Sequence, residues 1–63
     1  MCLSTVYKNE KRDDTVVMRN VMSIQCDDTT VILTDLMEHT VAIEGKLVSA
    51  NLVDGYVIVA SAE

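Results

Sequence analysis

Residues 27–44 read DDTTVILTDLMEHTVAIE, and the fold class is decided there. Asp27-Asp28-Thr29 is a hairpin turn signal. The run Thr30 to Asp35 that follows is β-branched and apolar, with Val31 and Leu33 on one face and Ile32 on the other. Leu36-Met37-Glu38 makes a short connection. From His39 to Glu44 the pattern alternates, with Val41 and Ile43 inward and Thr40, Ala42 and Glu44 outward. A period of two, twice in eighteen residues and bounded by turn residues, describes neighbouring strands with one buried face.

The same pattern extends in both directions. Upstream, Met22 to Asp27 is a strand with Met22, Ile24 and Cys26 on one face, and Cys26 reads as a buried, inert thiol. Asn20 and Val21 form a bend before it, and Thr15 to Arg19 is a further strand. The polar run Asn9 to Asp14 is a loop. Cys2 to Lys8 is the first strand, with Leu3, Thr5 and Tyr7 on one face and Cys2, Ser4 and Val6 on the other. Downstream, Glu44-Gly45 reads as a turn. Leu47 to Val53 is a strand, Asp54-Gly55 a two-residue type I′ hairpin turn, and Tyr56 to Ala60 the last strand. Six or seven short strands with tight turns predict an all-β chain folded as a small SH3-like β-barrel of about six antiparallel strands. Residues 1–63 make one domain, and Met18, Met22 and Met37 read as core filling.

Composition narrows the function. The net charge is −5, with no Trp or Phe and only Tyr7 and Tyr56 as aromatics. Nucleic-acid binders need cations for the phosphates, and single-strand binders add stacking aromatics, so no nucleic-acid partner is expected. No apolar run approaches membrane-spanning length, and the start lacks the pattern of a signal peptide. The expected location is cytoplasmic, where the two cysteines stay reduced. A chain of 63 residues buries a thin core, and self-association is the usual remedy, so a homodimer is expected. Nothing marks an enzyme: there is no phosphate loop, no HExxH and no nucleophile–base spacing.

The residue that draws chemical notice is Cys2. Removal of Met1 leaves it with a free amine. Its amine and thiolate then close a five-membered ring on a metal, and the deprotonated backbone amide of Leu3 closes a second. A planar N,N,S set suits Ni(II) or Cu(II) far better than Mg²⁺ or Ca²⁺. The residues alone leave the alternative open, with Cys2 a small strand residue in a β-barrel interaction module. The Glu38-His39 pair is a weaker ligand candidate, since the two side chains point to opposite faces if the strand begins there.

Taken together, MCLSTVY, Val21 to Asp28, TVILTDLMEHTVAIEGKL and the final strand pair resemble the CooT family of small nickel-binding proteins. The resemblance covers nearly the whole chain and rests on the order of the pieces. It implies a cytoplasmic homodimer with an SH3-like barrel and Ni(II) held at the interface by Cys2 of both chains. The role implied is nickel handling for a nickel enzyme such as carbon monoxide dehydrogenase. Members are also labelled RNA-binding, a label that the acidic charge of this chain opposes. Two departures stand out: Asn51 in Ser49-Ala50-Asn51-Leu52 replaces an expected acid, and the C-terminal tail is short and weakly charged.

Overall fold

The computed structural model describes residues 3–61. Five strands form a closed barrel in the order β1-β2-β3-β4-β5. They are β1 (Ser4–Lys8), β2 (Val16–Cys26), β3 (Thr30–Asp35), β4 (Thr40–Asn51) and β5 (Tyr56–Ser61), with one 3-10 turn at Asp13–Thr15. Four neighbour pairs are antiparallel. The fifth, β1 with β5, is parallel and closes the barrel through Thr5↔Tyr56 to Lys8↔Val59. The all-β barrel expected from the alternation is therefore found, with five strands and one parallel seam in place of about six antiparallel ones.

The strand count fell because two pairs of expected strands are continuous. Thr15 to Arg19 and Met22 to Asp27 are the two halves of β2, with Thr15 itself in the 3-10 turn. Asn20 supplies the bend between them at φ 56, a left-handed conformation that Asn tolerates. Likewise His39–Glu44 and Leu47–Val53 belong largely to β4. Glu44-Gly45 is not a turn but a corner within that strand. β4 pairs with β3 from Thr40 to Glu44, then with β5 from Gly45 to Asn51. β2 does the same, pairing with β1 up to Val21 and with β3 from Val21 onward. Two long bent strands thus each serve two neighbours, which is how a short chain closes a barrel.

Gly45 permits the β4 corner. Its backbone passes so close to β5 that a Cβ there would collide with the carbonyl of Ala60. The hairpin between β4 and β5 also differs from expectation. Asp54-Gly55 is not a two-residue loop: Asn51 pairs with Tyr56, and four residues lie between them. Asn51 organises this turn. Its Oδ1 accepts from the backbone N–H groups of Val53 (3.1 Å) and Asp54 (2.9 Å), and its Nδ2 donates to the Asp54 carboxylate at 3.1 Å. Gly55 completes the turn at φ 77.

The core comprises Val6, Met18, Val21, Val31, Leu33, Val57 and Val59. Val17, Ile24, Val41 and Ile43 pack against it, so the inward faces read in β3 and the first half of β4 are correct. Of the methionines assigned to the core only Met18 is buried; Met22 and Met37 are exposed. Asn9, at φ 72, seals the parallel seam. Its backbone N–H donates to the Val59 carbonyl at 2.8 Å, and its side-chain Oδ1 accepts from the Ser61 N–H at 3.0 Å.

Two substitutions test these devices. Gly45→Ala should destabilise the barrel by about 2 kcal/mol or more, since relief requires backbone movement; urea unfolding would measure it. Asn51→Asp keeps the acceptor oxygen but sets a second carboxylate beside Asp54. Thermal melts should show a Tm lowered by a few degrees at neutral pH, with the difference shrinking on acidification.

Candidate functional site

Strand sharing leaves a seam. Among the described residues, β2 from Met22 to Cys26 has a strand neighbour only on its β3 side, and β4 from Lys46 to Asn51 only on its β5 side. Between these two half-strands runs an open groove of about 290 Å³, walled by Met22, Ile24 and Cys26 on one side and by Leu47, Ala50 and Leu52 on the other. Ser4, at the start of β1, also lines it.

Cys26 occupies this groove. It pairs with Val31 and shares the inward parity of Ile24, as the alternation predicts. The expectation that it is buried is overturned: its thiol is free and exposed. The reason is tertiary. Inward parity buries a side chain only where another layer covers it, and no described strand covers this half of β2. Met22 is exposed for a related reason. A bulge between Val21 and Ser23 makes it the extra residue in the pairing with β3, and it projects at the groove wall, 51% exposed.

The principal candidate ligand, Cys2, lies outside the described residues. Leu3, whose amide was the second candidate, is half-buried; its carbonyl faces Gly55 across the β4–β5 turn. The following residue but one, Thr5, donates its N–H to the Gly55 carbonyl at 2.9 Å. The start of β1 is thus anchored beside the β4–β5 turn and next to the groove, and Cys2 is two residues upstream of Ser4 in the chain.

His39 and Glu38 are used locally. Asp35 Oδ1 accepts from the backbone N–H of Met37 at 2.9 Å and of His39 at 2.8 Å, and its Oδ2 contacts His39 Nδ1 at 3.1 Å. Glu38 sits at φ 66 within this turn. Partial burial works to raise the Asp35 pKa, but the His39 backbone and ring contacts and the Met37 N–H outweigh it, so the carboxyl is held below the usual aspartate range. The exposed His39 ring is a partner of this turn, and no group of three or more His, Cys, Asp or Glu that could hold a metal occurs among the described residues. No polar or charged side chain is buried among them either.

The fold and groove define a class: a small strand-sharing β-barrel that offers an uncharged surface seam. The CooT family model, described as CO dehydrogenase accessory protein CooT, matches residues 1–60, and the chain belongs to that family. The crystal structure of a candidate CooT from Carboxydothermus hydrogenoformans is similar to this barrel. Its TM-score is 0.82 over 98% of this chain and 100% of that one, at 13% sequence identity. That likeness establishes the shared fold. No curated protein matches the chain.

The Asp35 turn has a pH signature. The lowered carboxyl adds stability that is present above the ordinary aspartate range and is lost as pH falls through the depressed native value. Urea unfolding of the wild type and of Asp35→Ala should therefore show a gap at pH 7 that narrows below about pH 4.

Proposed function

We propose that this chain is a cytoplasmic Ni(II)-binding accessory protein that acts as a homodimer. Met1 is removed, and Cys2 from each chain supplies a thiolate to one shared ion. Nickel is cargo here, held for delivery to a nickel enzyme, with carbon monoxide dehydrogenase the client that the family description favours. The observation that carries the reading is the family match, which begins at residue 1 and so includes Cys2.

The chemistry of the donors supports it. Two cysteinyl thiolates and their two amines offer four sulfur and nitrogen donors, the number that a planar Ni(II) or Cu(II) site takes. The described residues hold no group of three or more His, Cys, Asp or Glu that could bind a metal. Sharing the ion between two chains doubles the set without adding a residue. Thiolate binding competes with protons, so loading and release are pH-sensitive.

A second reading is a protein-docking module in which Cys2 is structural. The exposed groove favours it, and the closed barrel speaks against simple addition of a partner strand along a full-length edge. Native mass spectrometry of the untagged protein, with and without Ni(II), separates the two. The expected species is a dimer lacking Met1 that takes up one nickel, with uptake abolished in Cys2→Ser and reduced on acidification. Retention of Met1, or equal uptake by Cys2→Ser, would transfer the assignment to the docking module.

A further inference from the structure

We propose that the two turns following Asp35 and Asn51 are paired docking knobs for the enzyme that receives the nickel, and that they fit a protein face whose apolar pockets are ringed by Lys or Arg. The inference rests on the delivery role proposed above and assigns that role its contact surface.

Both turns carry the same pattern. One reads Asp35-Leu36-Met37-Glu38 and the other Asn51-Leu52-Val53-Asp54: an Asp or Asn, two large apolar residues, then an acid. Turns ordinarily recruit Gly, Pro, Asn, Asp and Ser. The four apolar side chains here stand open to solvent, from 57% exposed at Leu36 to 90% at Val53. They make up four of the seven exposed large apolar residues among the described ones. The fold gains no burial from them, whereas a partner seated on them would bury all four.

Both turns are also fixed in shape. Asp35 Oδ1 accepts from the N–H groups of Met37 and His39, and Asn51 Oδ1 from those of Val53 and Asp54. A turn already held in one shape loses little freedom on docking, so its apolar contacts convert more fully into affinity.

The barrel sets the two turns on either side of the start of β1. The Leu36 N–H donates to the Asn20 carbonyl at 2.9 Å, Val21 pairs with Ser4, and the Thr5 N–H donates to the Gly55 carbonyl at 2.9 Å. Passing from one turn to the other therefore crosses β2 and then the start of β1. A partner that grips both turns spans the start of β1, and Cys2 is two residues upstream of Ser4 in the chain.

Charge selects the partner. Each apolar pair ends on an exposed acid, Glu38 or Asp54, in a chain with 10 acidic against 5 basic side chains. A second copy docked through the same turns would set these acids against their own equivalents. A face with Lys or Arg beside apolar pockets satisfies both parts of the pattern.

The test is binding of the protein, with and without Ni(II), to nickel-depleted carbon monoxide dehydrogenase, by biolayer interferometry at low and high salt. Met37→Glu and Val53→Glu alter exposed tips and should each weaken binding by about tenfold or more. Glu38→Lys should weaken it by about threefold or more, and raised salt should weaken the wild type. Val48→Lys, exposed on β4 outside both turns, should stay within about twofold. Each variant should keep the wild-type circular dichroism spectrum, dimer and nickel uptake.

Tip variants that bind like the wild type overturn the proposal, as does a Val48→Lys that fails with them. A tip variant that turns monomeric also overturns it, by making the turns part of the dimer contact. So does wild-type partitioning into phosphatidylcholine vesicles that the tip variants lose, since the tips would then serve a membrane. A wild type that carries nickel yet does not bind the enzyme overturns the docking face and leaves the metal assignment standing. A wild type that binds the enzyme through both tips but takes up no nickel does the reverse.

Discussion

The barrel depends on one close approach, that of the Gly45 backbone to the Ala60 carbonyl. Without a side chain at Gly45, β4 can leave β3 and continue along β5 without a loop. That single corner, matched by the bend at Asn20 in β2, lets five strands make five pairings. Closure then brings Val6, Leu33, Val57 and Val59 into one fully covered layer. A conventional turn at residue 45 would have interrupted β4 between its pairings with β3 and with β5.

The same economy creates an open surface groove. A strand that serves one neighbour with its first half and another with its second leaves each half uncovered on one side. Where the second halves of β2 and β4 face each other, the uncovered sides form an apolar groove beside the start of β1. The described residues contain no buried ionisable group and no metal-ligand cluster. The chemistry proposed for this CooT-family chain lies with Cys2, and the barrel anchors the start of β1 beside the β4–β5 turn and the groove.

Local features show why neighbours of similar composition have different tasks. Asp35 and Asn51 each end a strand and organise the turn that follows, accepting backbone N–H groups through a side-chain oxygen. The amide of Asn51 has a local use: it donates to Asp54, where an acid at position 51 would meet another acid. His39, the sole histidine, is engaged by Asp35.

Sequence alone determined what depends on alternation and local turn chemistry. The faces of Val31 and Leu33 and of Val41 and Ile43, the first loop, the Asp27–Thr29 turn and the all-β class were all legible, because a period of two needs only adjacent residues to be read. So was the resemblance carried by the MCL start and the ordered strand segments. Tertiary structure decided what depends on which strand covers which. Whether Gly45 turns or bends the chain depends on how near β5 passes. Whether Cys26, with its inward parity, is buried depends on whether a further layer lies over β2. Parity sets the direction of a side chain; only the assembled barrel sets what, if anything, stands in front of it.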